Sequence, residues 1–212
     1  MDLQNKLHIV SEKMHDLIRV CDPLEYIPTE GVDWENFRYT GPQFRQAHIE
    51  RYNHDGLIVL HVVILPHADD WCPIYGFDIV GSQKTNKVSG AFLDWSPTFV
   101  EREWHNTVWE KDRELPVWAK VFSKQFIAIR PTEDEIDPLI DFAFESFTKY
   151  MKLVGSTKVL SQTTVDNIVR KQNEYCEYQA SNPRTRAALT QQIGAEAARE
   201  FMENVLFPKI EV

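Results

Sequence analysis

The segment 56–66, GLIVLHVVILP, is apolar at odd and even positions alike. Side chains of a strand alternate between the two faces of its sheet, so a strand without a polar face must be covered on both sides. This stretch therefore calls for a sheet with a layer of structure above it and another below. Two further β-rich runs follow, PIYGFDIV at 73–80 and KVSGAFLDW at 87–95, and the GSQKTN between them has the Gly, Ser and Asn of a hairpin turn. KQFIAIR, which ends at Arg130 before a proline, is predicted as one more strand.

Helical spacing brackets these strands. Leu3, Leu7, Val10, Met14 and Leu17 recur at three- and four-residue steps, which predicts an opening amphipathic helix. After Arg130, residues 132–154 begin with an acidic first turn, favourable at the positive end of a helix dipole. Ile136, Leu139, Ile140, Ala143, Phe147, Tyr150 and Met151 then supply a buried stripe. A second helix is predicted over 161–179, and one or two more between 184 and 207, with Gly194 as the break. Strands followed by helices point to an α/β fold with a central, mainly antiparallel sheet and helices on both faces. No repeat or low-complexity linker interrupts the 212 residues, so a single domain over 1–212 is expected.

Charge and motifs narrow the function. A formal net charge of −9 argues against a general nucleic-acid binder, whose affinity comes from neutralising phosphates. The N-terminal segment has neither a long apolar core nor a cleavage signal, so no membrane span or secretory leader is expected. Cys21, Cys72 and Cys176 show no CxxC spacing, which predicts reduced thiols, no metal site and a cytoplasmic location. GxGxxG, GxxxxGK[ST], HExxH and GxSxG are all missing, so nothing looks built to hold NAD, flavin or an iron–sulfur cluster. Electrons for a redox reaction would have to come from a protein partner.

Polar groups inside apolar strands are the informative residues, because burying them is costly unless they are partnered. His61, Asp78 and Asp94 stand out. Alternation puts Gly90, Phe92 and Asp94 on one face, and Ile74, Gly76 and Asp78 together on the neighbouring strand. Glycines near the carboxylates leave room for a flat group against the sheet. By pattern alone each polar residue has a plainer role. Asp94 opens the turn DWSP, Asp78 can hold a loop, and His61 can be a satisfied core histidine.

The segments GPQFRQAHIE, LHVVILP, PIYGFDIVG, LDWSPT, RELPVWAKVFS, FIAIRP, NPRTR and NVLFPKI run in an order that resembles the ferredoxin-dependent bilin reductases, over about four fifths of the chain. The resemblance implies a three-layer α/β/α sandwich with biliverdin IXα between the sheet and the C-terminal helices. It implies no bound cofactor, an external [2Fe-2S] ferredoxin as transient electron donor and, by default, a monomer. It places the protonating carboxylate on Asp94, with His61 near the reacting rings and Asn182 as a further catalytic candidate. Arg130 and Arg184 would pair with the propionates, as bidentate guanidinium groups suit, and Tyr75, Gly76 and Gly90 would line the substrate site.

Three departures bear on the product. Phycocyanobilin-forming members carry a glutamate two residues after the histidine and a second histidine just before the strand glycine, a pair associated with the D-ring vinyl group. Val63 and Tyr75 fall at those positions, and Pro183 replaces an aspartate. On that reading the product is phycoerythrobilin, formed through 15,16-dihydrobiliverdin by radical intermediates. The alternatives are a two-electron reductase that stops at 15,16-dihydrobiliverdin and a carrier without catalysis.

Overall fold

The computed structural model describes residues 1–18, 22–24, 33–110, 119–156 and 160–211. Cys21 and the first part of RELPVWAKVFS lie outside them. A helix, α1 (Leu3–Ile18), is followed by seven strands: β1 (Asp22–Leu24), β2 (Asp33–Gly41), β3 (Phe44–His54), β4 (Leu57–Leu65), β5 (Ile74–Ser82), β6 (Val88–Ser96) and β7 (Ile127–Ile129). They form one sheet in sequence order, each strand antiparallel to the next. Four helices complete the chain: α2 (Ile136–Leu153), α3 (Gln162–Ala180), α4 (Pro183–Ile193) and α5 (Ala195–Phe201), with a π-helical turn at Met202–Leu206.

The strand that is apolar on both faces is β4, and both of its faces are covered. Leu60, Val62 and Ile64 belong to a core shared with Leu7, Val10 and Met14 of α1 and with Leu139, Ala143, Phe147 and Tyr150 of α2. Val63 and Leu65 face the other way, into a second core with Tyr175 and Cys176 of α3, Leu189 of α4, and Ala198 and Phe201 of α5. The architecture is therefore the three-layer α/β/α sandwich, with α1 and α2 on one face and α3 to α5 on the other.

Local chemistry sets the element ends. Glu135 Oε2 accepts the Thr132 N–H at 2.9 Å in a capping box that leads into α2. Ser161 caps α3 through the Thr164 N–H. Asn182 caps α4, whose first residue, Pro183, needs no N–H partner there. Gly194, at φ +83°, separates α4 from α5 in a conformation that a side chain would oppose. In the β5–β6 hairpin Asn86 adopts φ 54° and closes the turn on Ser82. The β3–β4 hairpin turns on Asp55 (φ 51°) and Gly56 (φ 78°), the consecutive positive angles of a two-residue hairpin loop. No helix among the described residues is long and apolar enough to cross a membrane.

Candidate active site

The Asp55–Gly56 turn fixes the register of β3 on β4. His54 stands opposite Leu57, so Glu50 stands opposite His61 and His48 opposite Val63. The neighbouring ladders extend the line: Asn36 faces Glu50, His61 faces Asp78, and Asp78 faces Phe92. Residues directly opposite in a ladder share a face. Asn36, Glu50, His61, Asp78 and Phe92 thus form one row across β2 to β6, on the side covered by α3 to α5. A second row, displaced by one pleat, runs Arg38, His48, Val63, Gly76 and Asp94.

The first row is hydrogen-bonded in pairs. His61 Nδ1 lies 2.6 Å from Asp78 Oδ1. The Trp34 indole N–H donates to Glu50 Oε1 at 2.8 Å. His48 Nε2 meets Asn36 Oδ1 at 3.2 Å; an amide oxygen only accepts, so Nε2 donates and Nδ1 carries the lone pair. His48, Glu50 and His61 are buried, whereas 37% of the Asp78 side chain is exposed.

The electrostatics follow from that crowding. Burial alone would drive the His61 pKa down, but the charge and hydrogen bond of Asp78, with the charge of Glu50, outweigh it and raise the pKa above 6.5. Burial pushes the Glu50 carboxyl up, and Asp78 adds to that, against the smaller opposing effects of His61 and the Trp34 hydrogen bond. His48 is held well below the usual imidazole range by burial and then by its cationic neighbours His61 and Arg38, so it is neutral. One face thus holds a carboxyl and an imidazole with raised pKa values beside a neutral imidazole. Such shifts mark groups able to exchange protons near neutral pH.

Several of these residues have unused hydrogen-bonding capacity. Asn36 Nδ2, Arg38 Nε, His48 Nδ1 and His61 Nε2 are buried without a partner among the described residues. The four lie on one face of three adjacent strands, so polar capacity is concentrated there. Aromatic rings surround the rows. Phe201 meets His48 at 6.3 Å and Phe207 meets His61 at 5.9 Å. Phe122 and Phe126 stack at 4.1 Å, and Phe122 is edge-on to Tyr175. Apolar rings around a few convergent polar groups are the usual make-up of a site for a conjugated ligand.

The structure sorts the residues singled out in the sequence. His61, Gly76 and Asp94 share the site face, and Gly90, opposite Val80, lies on it as well. A Cβ on Gly76 would stand 3.2 Å from the Tyr175 hydroxyl, so this glycine admits the close approach of α3. Arg130 is exposed just beyond β7, and Arg184 is exposed in the first turn of α4. The Asn182 side chain accepts the Arg184 N–H at 3.1 Å, and no described contact joins it to the polar rows.

Two expectations need correction. Tyr75 does not line the site. It neighbours Gly76 in the strand and so points to the opposite face, where its hydroxyl donates to the Ala143 carbonyl at 3.2 Å and its ring packs on Phe147 and Tyr150. Nor is the site without a glutamate beside a histidine. Glu50 provides one directly across from His61, from β3 and not from the positions of Val63 and Tyr75.

Asp94 is 2% exposed and heavily engaged. Its carboxylate accepts the Ser96 hydroxyl at 2.6 Å, the Ser123 N–H at 2.9 Å and the Ser123 hydroxyl at 2.5 Å, and so ties the segment before β7 to the end of β6. Burial raises its pKa from 3.8 to about 6 despite these bonds. A raised folded-state value means that its stabilising contribution is complete below pH 3.8 and is lost as the pH rises through 6. Urea unfolding between pH 4 and 7 is expected to show the wild type losing on the order of 3 kcal/mol from this group, a slope absent from Asp94→Asn.

Among the described residues, no group of three or more His, Cys, Asp or Glu could hold a metal ion. A shallow groove between the outer side of α3 and the C-terminal tail is lined by Asp166, Glu174, Glu177 and Glu211. These carboxylates suit an anionic ligand poorly, and the groove lies apart from the polar rows.

A family model described as "Ferredoxin-dependent bilin reductase" matches residues 27–208. The phycocyanobilin:ferredoxin oxidoreductase of Synechococcus sp. (strain ATCC 27144 / PCC 6301 / SAUG 1402/1) is 29% identical over 192 residues, covering 84% of this chain and 77% of the relative. The protein of the same name from Trichodesmium erythraeum is 28% identical over 186 residues, covering 82% and 75%. Among solved structures, phytochromobilin synthase from tomato in complex with biliverdin aligns with a TM-score of 0.74 over 94% of this chain and 80% of that one, at 12% identity. PcyX aligns with a TM-score of 0.61 over 97% and 99%, at 22% identity. At those identities the structural likeness is one of fold.

Proposed function

The chain belongs to the ferredoxin-dependent bilin reductase family, and from that premise we propose that it reduces biliverdin IXα on the sheet face of Glu50, His61 and Asp78. The observation that carries this reading is the 2.6 Å His61–Asp78 pair with Glu50 directly across the ladder. The bilin lies flat between the sheet and α3 to α5, with its propionates directed to Arg130 and Arg184 at the rim. Reduced ferredoxin supplies electrons singly through radical intermediates, and each two-electron round consumes two protons. Asp78, the most open carboxylate of the row, delivers them with His61 behind it as the reservoir, except at the D-ring vinyl group, where Glu50, directly across the ladder from His61, is the acid. Asp94 keeps the position that the family resemblance gave it on this face, tied to Ser96 and Ser123, and we place the donor role on the more open Asp78 beside it. The enzyme acts as a cytoplasmic monomer.

The product follows from Glu50. The ground for phycoerythrobilin was a missing Glu–His pair, and Glu50 beside His61 removes that ground. We therefore assign phycocyanobilin as the four-electron product, in keeping with the names of the curated relatives. Pro183, in place of the family's aspartate, favours phycoerythrobilin through 15,16-dihydrobiliverdin as the second reading.

An anaerobic assay with biliverdin, ferredoxin and a reducing system, with products separated by chromatography, decides among these. Ferredoxin-dependent loss of biliverdin with accumulation of phycocyanobilin is expected. Phycoerythrobilin or 15,16-dihydrobiliverdin as end product would overturn the product assignment. Tight binding without turnover would return the carrier reading.

A further inference from the structure

Glu50 takes its one described hydrogen bond from a residue that also carries the covering helix. Trp34 lies near the start of β2, opposite Tyr52, and its indole is 3% exposed. Its N–H reaches diagonally to Glu50 Oε1 at 2.8 Å. The same ring meets Phe201 of α5 edge-on, with centroids 5.1 Å apart at 70°, and Tyr52 at 6.1 Å and 73°. An indole has a single donor and no acceptor, so Trp34 fixes one carboxyl oxygen of Glu50 and can do nothing else with its polar atom. The other oxygen, Oε2, has no donor among the described residues.

We infer that Trp34 is a positioning residue for Glu50: its indole N–H holds the carboxyl group in the orientation from which Glu50 protonates the D-ring vinyl group, and the Phe201 contact couples that orientation to the seating of α5. This rests on the proposed role of Glu50. The groups facing Glu50 are His61 of β4, with Asp78 of β5 beyond it, and Asn36 and Trp34 of β2; α5 presents the apolar ring of Phe201 to Trp34. Of these, the Trp34 bond opposes the upward push of burial on the Glu50 pKa, so its loss leaves the acid a weaker proton donor.

Trp34→Phe keeps a ring for Tyr52 and Phe201 and removes the N–H. Two measurements test it. With carboxyl-labelled glutamate, the Glu50 resonance (identified by its absence in Glu50→Gln) is expected to titrate about one pH unit higher in Trp34→Phe than in wild type. In the anaerobic assay, the ratio of two-electron to four-electron product is expected to rise about tenfold while the overall loss of biliverdin changes by less than about twofold. An unmoved titration, or an unchanged product ratio while Glu50→Gln alters it, overturns the role of Trp34 alone. A wild-type product ratio in Glu50→Gln overturns the reading of Glu50 and this inference with it. A loss of biliverdin that slows as far as formation of the four-electron product makes Trp34 a general structural residue and also overturns the inference.

Discussion

Replacing Asp78 with Asn is expected to lower ferredoxin-driven turnover of biliverdin by at least about 100-fold, the scale of losing a positioned proton donor, with little change in bilin affinity. The isosteric amide can still accept from His61 Nδ1, which lies 2.6 Å from the carboxylate in the native pair, so the geometry survives while the carboxylate that would pass the proton on does not. Affinity is expected to be retained because, in the proposed binding mode, the propionates pair with Arg130 and Arg184 instead. The pH profile carries a second signature. His61 has a raised pKa because Asp78 and Glu50 together outweigh its burial. A donor reservoir works only when protonated, so wild-type turnover is expected to fall as the pH rises through that raised value. Removing the Asp78 charge lets burial dominate, and the fall moves to lower pH. Initial rates of biliverdin loss across the pH range measure both effects.

Replacing Glu50 with Gln is expected to leave the loss of biliverdin within about threefold of wild type and to slow reduction of the D-ring vinyl group by at least about 100-fold, so that a two-electron product accumulates. Gln keeps the shape and can still accept the Trp34 N–H, at 2.8 Å from Oε1 in the native pair, so any change is due to the lost proton. Chromatography of quenched reactions reads the ratio directly. A variant that still forms the final product at the wild-type rate would leave Glu50 a structural acid and reopen the assignment to phycoerythrobilin.

The layers of this fold were legible in the sequence, whereas half of its site was not. GLIVLHVVILP demands cover on both faces, and α1 and α2 provide one layer and α3 to α5 the other. Gly194 and the 81–86 turn punctuate the chain as their chemistry implies. The strand FRQAHIERYNH is different. Gln46, His48 and Glu50 repeat at every second position, and a polar stripe of that period has the same pattern whether it faces solvent or a covered cleft. Only the C-terminal helices, more than a hundred residues away, decide which. The signal that could have placed Glu50 is Asp55–Gly56, a two-residue hairpin turn from which counting back pairs Glu50 with His61.

The different surroundings of Asp78 and Asp94 were equally hidden. Both are carboxylates near strand glycines on one face. What separates them is Ser123, 29 residues beyond Asp94, whose N–H and hydroxyl engage that carboxylate. No local pattern announces such a contact.

Which aspartate serves the bilin therefore decides the proposed mechanism. The most direct measurement is the absorbance of biliverdin bound to wild type, Asp78→Asn and Asp94→Asn as a function of pH, following the long-wavelength band of the protonated chromophore. The expected result is a midpoint that falls in Asp78→Asn and stays at the wild-type value in Asp94→Asn. A midpoint displaced by Asp94→Asn and untouched by Asp78→Asn would contradict it.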